Sequence, residues 1–498
     1  MNYSAEDYLN QLDVDKEDLV NFMQEADVVC DNTETFTELA PKIKEKAESI
    51  IATTFTTDRQ YALLEHARTL NWPTKMPAIE IPATATNIKL LYKGAYRGNG
   101  PAYKGVLTNV TSIPEGLASF GGCTFLVDDT VGVVTPEISQ LQLPNCTNFS
   151  HIFDWFYCYN LQRTDGYTDL CIDNLDLSSA VYFTDSFHYT RAKKIYLTQY
   201  KSTPNLISLA NLFYYSFIIS KVPNEVPSTD VLRFLDTSHV TNFSGCFKYY
   251  TEPYNGSKQV EHILTGVNTS SATNMSNMFE NCYLRRIDLS SFDFSNVTTV
   301  ASMFRSCFIN NNGNTDADVT LPNTMDFSNV TNMSYFLYRT TSGLFPFSNT
   351  ERWVERIAAL IQNTDNVTNL SYCFYGRKMQ SLDLTHWTVT KVTNMSNMFN
   401  QCYYLTSVKI PNISIIDTCN CANMFYAVNN YVFIDIRGLE FSKITNLNTM
   451  FSSFSSVKSN LQIVVKDSTE QTALETAYPL FIGHTITAAD YEATQGGV

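Results

Sequence analysis

The sequence predicts an α/β repeat fold, in which short parallel strands stack into a solenoid behind a small helical N-terminal module. Three observations predict it. An eight-residue pattern recurs along most of the chain, short segments of alternating apolar and polar residues follow many of its copies, and the first 75 residues lack the pattern and show helical spacing instead. A single unit of this kind cannot bury its apolar face, so successive units must stack on one another.

Residues 1–75 are helical by pattern. Apolar residues recur at steps of three to four, as in the set Phe36, Leu39, Ile43, Ala47 and Ile50. Asp58 is placed to cap a further helical segment at 59–70. These features predict three short amphipathic helices that form a docking or attachment module. Residues 76–104 are rich in Pro and Gly, which predicts a linker or short strands.

The recurring pattern is clearest as VTNMSNMF at 392–399 and ATNMSNMF at 272–279. Eleven copies end at Phe153, Phe187, Phe213, Phe247, Phe279, Phe304, Leu337, Phe374, Phe399, Phe425 and Phe451. The shortest separation between these terminal residues is 25 residues, and the longer ones are consistent with insertions. A period near 25 lies in the range of leucine-rich repeats. Residues 105–465 are therefore predicted to form a leucine-rich-repeat-like solenoid, and residues 466–498 its C-terminal cap.

Each unit contains two structural signals. Ile287 and Leu289 alternate with polar residues as a short strand does. In the eight-residue pattern, Val, Met, Met and Phe are separated by three, three and one residues, which predicts one apolar face of a helical turn. The Asn, Ser and Thr residues at fixed places are expected to cap free amides and to form ladders between neighbouring repeats.

Composition excludes several classes of partner. The chain has 34 Lys and Arg against 49 Asp and Glu, a formal net charge of −15, which repels phosphate backbones and anionic lipid. The longest apolar stretches are interrupted by polar residues and are too short to span a bilayer, so no membrane insertion is predicted. The acidic, amphipathic start does not have the pattern of a secretory signal, and the C-terminus shows no sorting motif.

No catalytic or metal constellation is apparent. The chain has no CxxC pair, and the repeat register accounts for five of the twelve cysteines as buried column residues: Cys246, Cys282, Cys307, Cys373 and Cys402. The seven histidines are scattered without metal-ligand spacing. Asp288, Asp293 and Asp383 could be read as a glycosidase pair, but turns in a repeat need such residues. The sequence thus predicts a protein that is not an enzyme and uses no cofactor and no metal.

The repeat also carries a family resemblance. The string VTNMSNMF, preceded in two copies by DFSN (293–296 and 326–329) and often followed by a cysteine, resembles the repeat of BspA-like leucine-rich repeat surface proteins, a type also found in mycoplasma surface lipoproteins. The segment VTSIPEGLASFGGCTFL at 110–126 is similar to a related form of the same superfamily, and 463–481 resembles the strand and helix that close such arrays. The resemblance implies adhesion or recognition at a surface.

The resemblance leaves three functions open. Some phage virion proteins carry these repeats behind a small attachment module, need no secretory leader, and have starts similar to TETFTELAPKIKEKAESI at 33–50. The first expectation is a virion surface protein, attached at tail, neck or capsid, that contacts other virion proteins through residues 1–75 and a host polysaccharide or protein through its repeats. The others are a bacterial cell-surface adhesin and a purely structural virion component. Association between copies of the chain is left open.

Tyrosines are the candidate ligand contacts, because they offer large rigid area with a polar tip. Many lie just outside the repeat core positions. The candidates are Tyr249, Tyr250, Tyr254, Tyr403 and Tyr404. The insertions at 248–256, 309–318 and 339–353 are further candidates, since long connections in a repeat array usually lie on one face.

Overall fold

The computed structural model describes residues 141–495 except 155–156, 160–168, 174, 193–194, 219–230, 251–259, 265, 310–318, 340–351, 411, 428–429 and 455, together with parts of 17–45 and residues 79–80, 103–111, 124–126 and 133–134. The chain divides into two compact units. Unit 1 comprises Met1–His239 and Tyr250–His262, and unit 2 comprises Val240–Tyr249 and Ile263–Val498.

Short strands are the main regular elements of both units. In chain order they are β1 (Ile79–Glu80), β2 (Tyr103–Val106), β3 (Thr124–Leu126), β4 (Val133–Val134), β5 (Leu141–Gln142), β6 (Tyr157–Tyr159), β7 (Asp169–Cys171), β8 (Arg191–Ala192), β9 (Ile195–Tyr196), β10 (Phe217–Ile218), β11 (Val260–Ile263), β12 (Tyr283–Asp288), β13 (Phe308–Ile309), β14 (Val319–Thr320), β15 (Met325–Asp326), β16 (Ile361–Gln362), β17 (Ser381–Asp383), β18 (Ser407–Lys409), β19 (Phe433–Asp435), β20 (Gln462–Val465) and β21 (Thr485–Thr487).

Helices are few among the described residues. They are Arg352–Leu360, Leu447–Met450, Ser468–Ala477 and Ala488–Gln495, with 3-10 helices at Leu232–Phe234, Phe441–Lys443 and Pro479–Phe481. The described positions within 17–24 and 38–45 are also helical, whereas residues 28–35 between them are described and are not helical. The rest of the predicted N-terminal module, including 59–70, lies outside the described residues. The chain is therefore mixed α/β. No described helix is long and apolar enough to cross a membrane.

The strands pair in parallel. Unit 1 contains the sheets β1-β2-β5, β10-β8-β6-β3 and β4-β7-β9. In unit 2, β12 pairs with β13 and β14, β15 pairs with β16, and β17-β18-β19-β20-β21 form a five-stranded sheet. Leu382, Val408, Ile434 and Ile463 stand opposite one another in that sheet and are buried. The short parallel strands agree with the sequence prediction.

The predicted repeat register is also the register of backbone pairing. The terminal residue of one copy donates its N–H to the carbonyl just before the terminal residue of the next copy. Examples are Phe279 to Met303 (2.8 Å), Phe374 to Met398 (3.0 Å) and Phe425 to Met450 (2.9 Å). Five residues earlier in each copy, single bridges connect Asn242, Asn274, Thr299, Asn332, Asn369, Asn394 and Asn420 in one parallel series. Unit 1 has its own series, Asn148, Tyr182 and Ser208.

The apolar pattern forms tight turns and not the predicted helical turn. The N–H of Met278 binds the carbonyl of Met275 and that of Glu280 binds Asn277, three residues back in each case. The intervening residue, Asn277, has a φ of 58° and donates its N–H to Ala301 of the next repeat. The equivalent residue, two before the terminal position, is left-handed in copy after copy, as at His151, Asp185, Asn211, Ser302, Tyr335, Tyr372, Asn397 and Asn423. A left-handed residue ends α-helical propagation and turns its N–H toward the neighbouring repeat.

Polar ladders complete the pairing, as the sequence predicts for Asn and Thr. The Thr331 hydroxyl donates to the Thr298 carbonyl at 3.3 Å and the Thr368 hydroxyl donates to Thr331 at 3.1 Å. Asn296 and Asn329 donate their amides to Ser270 and Ser295 of the preceding repeat, at 2.7 and 2.6 Å. The bridge asparagines act inside their own turns, where the Asn394 side-chain oxygen accepts the N–H of Ser396 at 3.0 Å. These bonds satisfy backbone groups that a turn would otherwise leave free.

A buried column of aromatic rings lies inside the turns. In unit 2, Phe374, Phe399, Phe425 and Phe451 stack in sequence with centroid distances of 5.7, 5.4 and 4.8 Å. Phe247, Phe279 and Phe304 form a similar stack at 5.5 Å, and Phe153, Phe187 and Phe213 form one in unit 1 at 5.2 and 5.1 Å. All of these rings are buried. Stacked rings add to the stabilisation that their burial gives.

The side chain of the third residue after the terminal residue donates a hydrogen bond to a neighbouring repeat in several copies, and we call this place the donor position. There the Thr190 hydroxyl donates to the Phe153 carbonyl at 2.7 Å, and the Cys282 and Cys402 thiols donate to Phe247 and Phe374 at 2.7 and 3.0 Å. Arg377 occupies the same position, is fully buried, donates to the Leu337 carbonyl, and places its guanidinium 4.9 Å from the Trp353 ring centroid. The five cysteines predicted to fill the core are therefore buried, and two of them, Cys282 and Cys402, also donate hydrogen bonds between repeats.

We expect Phe399→Ala to lower the free energy of unfolding by about 3–5 kcal/mol, because it removes a buried ring that contacts the repeats on both sides. Urea unfolding followed by far-UV circular dichroism measures the change. Ile416→Ala is the matched control, because Ile416 is 58% exposed, and we expect it to change stability by less than about 0.5 kcal/mol. Equal effects of the two variants would contradict a shared ring column.

Candidate functional site: the outer row of the turns

The residue directly after each terminal residue holds an equivalent place in successive turns, and we call this set the outer row. In unit 2 it comprises Lys248, Glu280, Arg305, Tyr338, Tyr375, Asn400, Tyr426 and Ser452. Hydrogen bonds between repeats hold these residues side by side. The Tyr338 carbonyl accepts the N–H of Ser306 at 2.7 Å, and the Asn400 carbonyl accepts the N–H of Gly376 at 2.9 Å.

The first part of the row is an ionic ladder. Glu280 is 2% exposed, and its carboxylate lies 2.9 Å from the Lys248 ammonium and 3.2 Å from the Arg305 guanidinium. Arg305 also faces the rings of Tyr335 and Tyr338, with 5.2 and 5.3 Å to their centroids. The carboxylate thus joins three repeats, and the arginine connects the ionic part of the row to an aromatic part.

The aromatic part contains two pairs of stacked tyrosines. Tyr338 and Tyr375 stack at 4.8 Å, while Tyr335 and Tyr372, two residues before their terminal positions, stack at 4.5 Å. Burial raises the pKa of the Tyr375 phenol to about 12, and the neighbouring Tyr338, Tyr403 and Tyr372 add to that shift. The Tyr375 phenol is therefore neutral at physiological pH. Because the stacked rings cover one another, an added flat group can stack only on the face at the end of a pair.

The stacked pair Tyr338 and Tyr375 ends next to Asn400. In the outer row Tyr375 is followed by Asn400 and then by Tyr426, which is 37% exposed. In the parallel row of left-handed residues, Tyr372 is likewise followed by Asn397 and Asn423. The Asn400 amide donates to the Asn397 side-chain oxygen at 2.7 Å. From one repeat to the next, the aromatic rings of Tyr375 and Tyr372 are thus followed by the side-chain amides of Asn400 and Asn397.

The tyrosines predicted as ligand contacts differ in their exposure to solvent. Tyr403 and Tyr404 are 48% and 49% exposed and follow Asn400 in the chain, and the Lys378 ammonium lies 5.6 Å from the Tyr404 ring centroid. Tyr249 is half-buried beside Lys248, 5.8 Å from its ammonium. Tyr250 is buried, edge-on to Phe213 at 5.8 Å, and so faces the core. Tyr254 lies outside the described residues, as do most residues of the three insertions.

Sequence reasoning missed the outer row itself. Its members are basic, acidic, aromatic, amide and hydroxyl residues, so no single residue type marks the position, and only the register brings them together. Unit 1 has the same arrangement. Its outer row comprises Asp154, His188 and Tyr214; His188 lies 2.8 Å from Asp154 and stacks on Tyr214 at 5.1 Å.

The histidines are therefore less isolated than the sequence suggested. Asp154 lies between His188 and His151, which is 3.7 Å from its second oxygen. Burial acts to raise the pKa of Asp154, but hydrogen bonds from the two histidines hold it below its ordinary value. Among the described residues, no three His, Cys, Asp or Glu side chains are arranged to hold a metal ion.

The acidic residues considered as a glycosidase pair stabilise the starts of turns, and Asp288 and Asp383 are the last residues of β12 and β17. Asp288, Asp293 and Asp383 accept the N–H of Ser290, Ser295 and Thr385, two residues later, at 3.0, 2.9 and 3.1 Å. This is the turn role that the sequence favoured for them.

Comparison with known proteins finds a family profile that is similar to part of the repeat region. A family profile described as "Mycoplasma protein of unknown function, DUF285" matches residues 219–353 and, a second time, 346–464. This family is associated with BspA-like repeat proteins, so the match agrees with the resemblance carried by the VTNMSNMF repeat. No curated protein and no solved structure matches the chain.

We expect Glu280→Ala to destabilise the protein by about 1–3 kcal/mol, because it leaves the partly buried ammonium and guanidinium groups without their shared carboxylate. Asp383→Asn is the control, since Asp383 forms an exposed ion pair with Lys409 at 3.1 Å and should contribute less than about 1 kcal/mol. Urea midpoints of both variants measure the difference. An effect of Glu280→Ala no larger than that of the control would contradict the ionic ladder.

We expect the Tyr375 phenol to titrate near pH 12, since burial raises its pKa to about 12, whereas solvated tyrosines titrate near about 10. Tyrosine labelled with carbon-13 at Cζ makes the titration visible by NMR, and the resonance that disappears in Tyr375→Phe identifies the residue. Because the raised pKa means that the folded state holds its proton more tightly, its contribution to stability is present below pH 10 and is lost as the pH rises toward 12. A Tyr375 midpoint at pH 10 would show that the ring is not packed in the row.

Proposed function

We propose that this protein is a non-enzymatic phage virion protein, in which residues 1–75 attach to the particle and residues 105–465 form a leucine-rich-repeat-like solenoid that recognises a molecule on the host surface. The observation that carries the proposal is the outer row. Within each unit a fixed pairing register puts one variable side chain from each repeat into a row, so the surface lengthens with each repeat while the buried column stays the same.

The chemistry of the row supports binding in preference to catalysis. The aspartates considered for hydrolysis hold turns, and the ionisable groups of the row are paired with one another, as Glu280 is with Lys248 and Arg305. Exposed tyrosines at 403, 404 and 426 offer contact area. Weak contacts of this kind become effective when several linked copies bind together, as they would on a particle.

A bacterial cell-surface adhesin is the second candidate. The match to a family described from Mycoplasma and the BspA-like repeat favour it. The binding surface would be the same in both cases, and only the carrier would differ. A purely structural virion component would instead leave the outer row without a ligand.

Immunogold electron microscopy tests the carrier, with antibodies raised against residues 231–450. We expect regular labelling at one place on virions from the source sample, and labelling confined to cell envelopes would replace the virion proposal with the adhesin. Adsorption of the purified chain to host cells separates a recognition role from a purely structural one, because a structural component would not adsorb.

A further inference from the structure

Asn400 has an unusual environment for a polar side chain. It is only 7% exposed, its amide nitrogen donates to Asn397, and its Oδ1 atom has no hydrogen-bond partner among the residues that the structure describes. A buried acceptor without a partner is costly, and buried polar groups in folded proteins are usually paired. A ligand that supplies a hydrogen-bond donor would satisfy this acceptor.

The neighbours of Asn400 indicate the shape of that ligand. The stacked pair Tyr338 and Tyr375 ends at the repeat before Asn400, and Tyr426 lies one repeat beyond it. Repeats paired as parallel strands lie about 4.8 Å apart, so Tyr375 and Tyr426 are separated by about 9–10 Å along the row. A flat ring in contact with an aromatic group on each side needs about 7–8 Å. The row therefore has the spacing for one inserted ring at Asn400.

We infer that Asn400, Tyr375 and Tyr426 form a subsite for one pyranose ring of a neutral polysaccharide. The C–H face of the sugar stacks on the Tyr375 ring, and a sugar hydroxyl donates a hydrogen bond to Asn400 Oδ1. Neutral sugar fits the site because its turns carry phenols and amides, with Asn397 and Gln401 in the turn of Asn400 and Asn423 in the next turn. The net charge of −15 disfavours an anionic polymer. Tyr403, three residues after Asn400 in the chain, and Tyr426, one repeat beyond it in the row, are exposed side chains that can change rotamer.

This inference rests on the proposed recognition function and narrows it to one ligand class. The test is isothermal titration calorimetry of the full chain with four linear hexasaccharides: cellohexaose, maltohexaose, β-1,4-mannohexaose and the β-1,4 hexamer of N-acetylglucosamine. We expect at least one to bind, with Tyr426→Ala and Asn400→Leu weakening that binding at least tenfold. Tyr200→Ala is the control, because Tyr200 is 62% exposed in unit 1 and lies outside the proposed subsite, and we expect its binding to equal that of the parent chain.

Stability separates a ligand contact from a structural asparagine. Leucine has a similar volume and removes the unpaired acceptor, so Asn400→Leu should leave the urea midpoint unchanged or higher while binding falls. A lower midpoint would mean that Asn400 supports the fold, and it would overturn the inference. Binding of none of the four sugars would overturn it as well. If the chain adsorbs to host cells but binds no sugar, the proposed recognition function stands and its ligand is a protein receptor. If the chain neither adsorbs to host cells nor binds a sugar, both the proposed function and the sugar subsite are contradicted.

Discussion

The fold of each unit depends on backbone hydrogen bonds between neighbouring repeats. In the turns, alternate N–H groups serve different purposes. That of Met278 closes its own turn, while those of Asn277 and Phe279 bind the next repeat. Every second backbone donor is therefore available only to a neighbour, and a repeat without one would leave these donors buried and unpaired. The aromatic column has the same dependence, because each Phe ring covers the face of the next. Stability of such an arrangement comes from interfaces more than from the individual unit.

This dependence explains which features the sequence could predict. The terminal phenylalanines set the pairing register, because a buried ring of fixed size fits at only one place per repeat, and the Asn and Thr ladders follow from that register. The strand at Ile287 and Leu289 could be predicted from alternation alone. The turns could not. Apolar spacing of three, three and one residues is shared by a helical turn and by consecutive β-turns, and only the backbone angles of residues such as Asn277 and Tyr372 distinguish them. Asparagine tolerates a left-handed angle readily, but Tyr335 and Tyr372 adopt it as well, so the residue type gave an incomplete signal.

The candidate site shows a different limit. Exposed Tyr403 and Tyr404 could be selected from the sequence because they lie outside the core positions, but Tyr250 shares that description and is buried. The difference depends on the donor position three residues after each terminal residue. Thr190, Cys282 and Arg377 point inward there, and Tyr250 occupies the same place after Phe247. Once the register is known, the outer row can be derived by counting one residue past each terminal position, although its mixed composition hides it beforehand.

The separation between a constant inner column and a variable outer row has a consequence for binding. The phenylalanine rings and the cross-repeat hydrogen bonds fix the spacing of the outer row at one side chain per repeat, regardless of what that side chain is. Changing an outer residue therefore alters the surface without altering the spacing, as the sequence from Glu280 and Arg305 to Tyr338 and Tyr375 and then to Asn400 illustrates. A ligand that itself repeats at a regular interval, as a linear polymer does, can contact several side chains of the outer row at once. Each contact in such a complex is weak, so affinity depends on how many outer-row side chains are spaced to meet successive units of the polymer.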